Sequence, residues 1–166
     1  LTLTLSRTRT QDLPVALHRV NAAWGEGTSD APNEEGAGAP AATGDATWTY
    51  RYYPTTTWAA AGGDYASTSS ASALVGRNLG PYSWTGAGLV TDVQAWLAGT
   101  PNHGWILIAA ATATRETARF DTHENATVSA RPALAVTFIP PATPTGACCA
   151  ACMPTVTTAG GRWRSS

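Results

Sequence analysis

Six aromatic side chains could do chemistry first, because a flat ring is what a sugar ring needs as a partner. Trp48, Tyr50, Tyr53, Trp58, Tyr65 and Trp84 fall in an irregular stretch rich in Gly, Pro and Ala. An indole or phenol stacks on the apolar face of a pyranose and adds a specific ring contact to simple area burial. Binding side chains concentrate on loops held by a rigid scaffold. The competing role for such rings is to plug one end of a core, and Trp24, Trp96 and Trp105 are expected in the core.

The acids offer two further chemistries. Glu26, Asp45 and Asp64, with Glu35 nearby, sit among Gly-rich backbone whose carbonyls would complete a hard-oxygen site for Ca²⁺. No EF-type spacing is present, and Asp in such turns also serves as an acceptor for its own backbone. Glu116, Asp121 and Glu124 raise the question of a glycosidase pair, which needs two carboxyls about 5–9 Å apart. They are interspersed with Arg115 and Arg119, so ion pairs on a solvated face are the favoured reading.

Other constellations carry less. His18, His103 and His123 are scattered, and neither a G-x-S-x-G elbow nor an H-E-x-x-H pair occurs. Cys148, Cys149 and Cys152 all lie near the C-terminal end; a zinc site needs four ligands, usually in two pairs. A disulfide is the readier use, although neighbours such as Cys148 and Cys149 rarely bond each other. Asn125-Ala126-Thr127 forms a glycosylation sequon of a kind frequent by chance in Thr-rich sequence.

Composition bounds what these residues serve. Charged residues are 13% of 166, about half the roughly 25% of an average soluble protein, and the net charge is −1. That leaves no electrostatic footprint for nucleic acid and no basic run for an anionic membrane surface. No apolar stretch approaches the ~18–20 residues of a spanning helix. With 43% apolar residues and seven Trp, a packed core is within reach. The chain opens at Leu1 inside a strand-like pattern, without a leader, and reads as a mature piece or a fragment.

The elements that must position these side chains are mostly strands. Leu1, Leu3 and Leu5 alternate with Thr, and Val15 and Leu17 alternate after a polar turn, predicting two antiparallel strands as a hairpin or sheet neighbours. A long loop runs from about Asn21 to Tyr53; loops of that length are usually functional or disordered. Gly62-Gly63-Asp64-Tyr65 predicts a tight turn. Thr91 to Gly99 predicts the one helix, with a Thr91/Gln94 capping box, Asp92 in the first turn, and Val93, Trp96 and Leu97 on one apolar face. Trp105–Thr112 reads as a buried central strand, and 117–122 and 132–139 as two more. The fold class is all-β: an antiparallel β-sandwich of jelly-roll type with one short helix and long loops.

An ordered set of motifs resembles a known family. It begins with Trp24-Gly25-Glu26-Gly27, Ala46-Thr47-Trp48-Thr49-Tyr50, and Trp58 followed by Gly62-Gly63-Asp64. It continues with Asp92-Val93-Gln94-Ala95-Trp96-Leu97, Asn102-His103-Gly104-Trp105, Arg119-Phe120-Asp121-Thr122-His123-Glu124, Arg131-Pro132, Leu134 and Val136-Thr137. In order and spacing these resemble DNRLRE-type domains over about residues 1–139. The family pattern has further strands upstream of the position of Leu1, and often a Ser-Arg-Glu run where Thr122-His123-Glu124 stands here. The C-terminal Cys148, Cys149, Cys152, Gly160, Gly161 and Trp163 resemble the start of a Cys-rich repeat that can follow such domains.

The resemblance implies a secreted or cell-surface bacterial β-sandwich module, similar to carbohydrate-binding modules, an accessory to other domains of a larger chain rather than a catalyst. The division expected is a sandwich over 1–139, a Pro-rich linker over 140–146 and a Cys-containing tail over 147–166. The expected function is non-catalytic polysaccharide binding through exposed loop aromatics, with no catalytic residues, no nucleic-acid partner, no membrane insertion and Ca²⁺ as a possible structural ion. The rival is an adhesion or spacer module without a sugar ligand, and a third possibility is a polysaccharide-active enzyme. A sugar binder should expose two or more Trp or Tyr rings in one plane or groove; a spacer should bury every Trp; an enzyme should show two close carboxylates in a pocket.

Overall fold

The structure is a computed structural model that describes residues 1–8, 11–30, 38–110 and 117–140. Contacts divide the chain into a compact unit, Leu1–Ala135, and a second unit, Val136–Ser166, of which 136–140 is described. The cysteines, Glu35, Arg115, Glu116, Trp163 and the rest of the expected linker and tail lie outside the described residues.

Two three-stranded antiparallel sheets carry the core. In the first, β1 (Thr2–Thr8) lies between β6 (Gly80–Ser83) and β8 (Ala118–Phe120). In the second, β2 (Leu13–Arg19) lies between β5 (Ala71–Val75) and β7 (Trp105–Ala109). A small ribbon of β3 (Tyr50–Tyr52) and β4 (Thr56–Thr57) stands apart. Among the described residues β1 pairs with β8 and β2 with β7, so the outer pairing in sequence encloses the inner. The fold is all-β, as its alternating sequence predicts.

Period-2 alternation decides which side chains face in. Leu3 and Leu5 of β1 and Val15 and Leu17 of β2 are buried in one cluster with Ala71, Val75, Trp84 and Leu89. Leu5 stands opposite Phe120, and Leu17 is flanked by Ala71 and Leu107. Trp84 is fully buried, at 0% exposure, and its Nε1 donates to the Val15 carbonyl at 2.8 Å. That bond removes the penalty of a buried orphan donor and ties the end of β6 in one sheet to β2 in the other. Phe120 meets the Trp84 ring edge-on at 5.9 Å between centroids.

Several sequence expectations are corrected here. β1 and β2 are not a hairpin or sheet neighbours; each pairs with distant strands in its own sheet. β7 is an edge of its sheet among the described residues, with β2 in the centre. The expected strand over 132–139 is reduced to one bridge, Thr2 with Ala133, and Val136, Phe138 and Ile139 are exposed. Three elements thus differ because pairing partners, which alternation does not name, decide position in a sheet.

The helix, α1 (Ala87–Leu97), begins four residues before Thr91. No side chain caps it; Thr91 Oγ1 instead donates back to the Ala87 carbonyl at 3.0 Å. Asp92 is therefore mid-helix and buried beside Leu89, and Leu97 is exposed rather than on the buried face. The helix lies close to the chain before β5, since a Cβ on Gly88 would collide with the Ser70 backbone carbonyl. Ser70 Oγ donates to the Asp92 carboxylate, Trp105 Nε1 donates to it at 2.7 Å, and Arg19 Nη1 lies 3.8 Å away. Trp96 packs against Trp105 with the rings tilted at 55° and 4.5 Å between centroids. One carboxylate so fastens the helix to β2, to β7 and to the lead into β5. No helix among the described residues is long and apolar enough to cross a membrane.

Candidate functional site

The long loop between β2 and β3 is organised by one acid. Asp45 is buried, and its Oδ1 accepts the backbone N–H groups of Thr28 at 3.0 Å and Ser29 at 3.4 Å. Its Oδ2 accepts the Ser29 hydroxyl and the Ala42 N–H at 2.6 Å. The Ser29 hydroxyl first, then the Ala42 N–H, hold the carboxyl below its ordinary range. Gly27, at φ +72°, is required at this point, because any Cβ there would strike the Asp45 carboxylate. Backbone bonds from Gly25 to Arg51 (2.9 Å), from Ala46 to Gly25 (2.8 Å) and from Tyr53 to Asp45 (2.8 Å) lock the loop to the β3 ribbon.

A recess of about 380 Å³ opens on this loop, lined by Glu26, Ser29, Ala39, Ala41, Asp45 and Thr47 among others. Trp48 follows directly in the chain. The residue is 74% exposed, yet its ring has a contact on one face. Gly62 N–H donates to the Trp48 carbonyl at 2.7 Å, and the Gly62 Cα lies so close to the indole that a Cβ would come 2.8 Å from Cη2. Gly62 has φ +97°, in the predicted Gly62–Tyr65 turn. An exposed ring seated on a glycine loses little freedom when a ligand covers its outer face, which is preorganisation in physical terms.

The other expected ring residues take different places. Trp58 is half-buried and its Nε1 donates to the Thr47 carbonyl at 2.9 Å, bracing the segment that carries Trp48. Tyr50 and Tyr53 meet edge-on at 5.3 Å, both half-buried. Tyr65 packs on His18 at 5.2 Å, and His18 Nδ1 is 2.8 Å from the Ala66 carbonyl. Trp84, expected as a surface ring, is instead the centre of the core, because its N–H has a partner there. Trp24, expected in the core, is 44% exposed, with its Nε1 bonded to the His103 carbonyl at 2.9 Å.

Of the acids expected to hold Ca²⁺, Glu26 and Asp45 line the first recess and Asp64 does not. Asp64 accepts the N–H groups of Ala59 at 3.0 Å and Ala60 at 3.1 Å. Asp45 has two donors on each oxygen, which engages its lone pairs. Among the described residues no group of three or more His, Cys, Asp or Glu is arranged to hold a metal. Asp45 and Asp64 thus serve as acceptors for their own loop backbones.

A second recess of about 270 Å³ is lined by Arg119, Phe120, Asp121, Thr122, Glu124 and Asn125. His123, between Thr122 and Glu124, has its Nδ1 3.9 Å from Glu26 Oε1, and both side chains are well exposed. Neither this contact nor the Asp92 node was named from sequence. Leu89, Asp92, Val93 and Trp96 do follow helical spacing, and a polar residue inside such a face was the available signal.

No family model, no curated protein and no solved structure matches this chain.

Proposed function

We propose that this chain is a non-catalytic extracellular module that binds polysaccharide, with Trp48 as the stacking platform. The observation that carries the reading is Trp48, 74% exposed as a residue, with its indole held against Gly62. A ring held in position with its outer face open offers the flat apolar surface on which a sugar face stacks. The motif resemblance to secreted bacterial modules supports the same reading, and supports the extracellular, cell-surface setting. Weak binding at one module would be strengthened by repetition in a longer chain.

Affinity electrophoresis through gels containing a panel of neutral and acidic polysaccharides tests it. The chain should be retarded by at least one glycan, and Trp48→Ala should run free in that gel. Equal mobility of both proteins in every gel would contradict the reading and favour a spacer module.

A further inference from the structure

The bonds between β2 and β7 settle which backbone groups of β7 are free. Val20 N–H donates to the Gly104 carbonyl at 3.0 Å, and Ala110 N–H donates to the Pro14 carbonyl at 3.1 Å. Successive residues of a strand turn their N–H and C=O groups to opposite edges. Ile106 and Ile108 therefore address β2, and Trp105, Leu107 and Ala109 present their backbone outward. Among the described residues nothing pairs with that outer row. Charges, prolines and bulges ordinarily guard such an edge. β7 has none of them: it reads Trp-Ile-Leu-Ile-Ala, and its register with β2 is unbroken over all 5 residues. The other edges differ. β6 carries Pro81, β8 carries Arg119 and follows a register break against β1, and β5 has α1 beside it.

We infer that this edge docks a second copy of itself, joining two Leu1–Ala135 units through an antiparallel β7 pair about a twofold axis at Leu107. The register selects that occupant. With the axis there, every outward-facing residue meets another: Leu107 lies beside the partner's Leu107, and Trp105 beside the partner's Ala109, a large side chain against a small one. Each of these pairs can exchange both N–H···O bonds. On the opposite face Ile106 meets the partner's Ile108, a β-branched cross-strand pair of the kind that stabilises sheets. Both isoleucines are half-buried and so have surface left to cover. Neither strand carries a charge, so no like-charge opposition resists the approach. The contact is small. A five-residue strand is about 17 Å long and a sheet about 10 Å thick, so each copy buries on the order of 200–400 Å². That is below the roughly 1,200–2,000 Å² total of a stable complex. Main-chain bonds carry the association, and the dimer is weak and concentration-dependent. Pairing occupies the free β7 edge of both copies, so assembly stops at two. The inference does not depend on the sugar reading of Trp48.

Sedimentation velocity of the whole chain from about 10 μM to about 1 mM tests it, with hydrogen exchange followed at the Leu107 and Ala109 amides. Reducing conditions exclude cross-linking through Cys148, Cys149 and Cys152. Ala109→Pro is the decisive variant. Ala109 is exposed and its N–H points outward, so proline removes an edge donor and no bond to β2. Ala109→Lys places a guarding charge at the same point. Both should keep the wild-type thermal transition. Wild type should pass from one chain to two as concentration rises, and both amides should then exchange more slowly. Each variant should weaken the dimer at least about tenfold in Kd. Wild type that remains a single chain at about 1 mM overturns the proposal. So does a dimer of equal strength in both variants, which would use another surface, and so does growth beyond two chains. Slow exchange at both amides in the dilute single chain means that another part of the same chain covers the edge, and overturns it as well. The exchange result on wild type decides the matter even where a variant fails to fold.

Discussion

Gly62→Ala perturbs the platform without touching the ring's chemistry. The added Cβ would lie 2.8, 3.0 and 3.2 Å from Cη2, Cζ3 and Cζ2 of Trp48, where contact distance is about 3.5–4.0 Å. The backbone at φ +97° is also a region that alanine rarely adopts. That conformation costs about 1–3 kcal/mol for a residue with a side chain. The ring must swing away, the turn must shift, or both. A pyranose that covers roughly 60 Å² of indole contributes about 1.5 kcal/mol at about 25 cal/mol per Å², which is roughly tenfold in Kd. The variant should therefore be destabilised by about 1–3 kcal/mol in urea melts and lose roughly tenfold in glycan affinity. A double-mutant cycle sharpens this. In a Trp48→Ala background the clash with the ring is gone, so Gly62→Ala should keep its backbone penalty and have no further effect on affinity. If Gly62→Ala is destabilised as expected yet binds glycan like wild type, the seating of Trp48 on Gly62 has no role in recognition.

Three further outcomes follow from the same geometry. Asp92→Ala strips the acceptor from Ser70 and Trp105 and the counter-charge from Arg19, and should lower unfolding stability by about 1.5–3 kcal/mol, read by chemical denaturation. Trp84→Ala empties the centre of the core and orphans a hydrogen bond to Val15; the cost should be about 3–5 kcal/mol, seen as a large fall in Tm or failure to fold. Asp45 has a depressed folded pKa, so its contribution to stability is present above the unfolded carboxylate pKa and is lost as pH falls through the lower folded value. Stability measured from neutral into acid should fall in that range, and Asp45→Asn should flatten that part of the profile.

The strands that build the core were legible because β1 and β2 place Leu3, Leu5, Val15 and Leu17 at alternate positions and each buries one face. What the alternation cannot carry is partner choice. Leu1–Leu5 and Val15–Leu17 look like neighbours in sequence, but each sheet is assembled from segments more than 50 residues away, such as Leu3 with Tyr82 and Leu17 with Ala71. The helix start was hidden by Gly86 and Gly88, poor helix formers; Gly88 is there because the helix must pass close to Ser70. Reading Asp92 as a first-turn charge followed from that late start, and so its inward role was missed. The aromatics were legible as a set and not one by one. Trp84 and Trp48 have similar surroundings in sequence, and the difference is a carbonyl on β2 for one and a glycine 14 residues downstream for the other. Trp24 is outside because the His103 carbonyl meets its N–H at the surface.

The central claim, that Trp48 is a sugar-stacking platform, is tested most directly by affinity electrophoresis of wild type and Trp48→Ala across a polysaccharide panel. The account predicts that at least one glycan retards the wild-type chain and that Trp48→Ala, folded by its thermal transition, is not retarded by it. Retardation of both proteins to the same degree, or of neither in any gel, would contradict it.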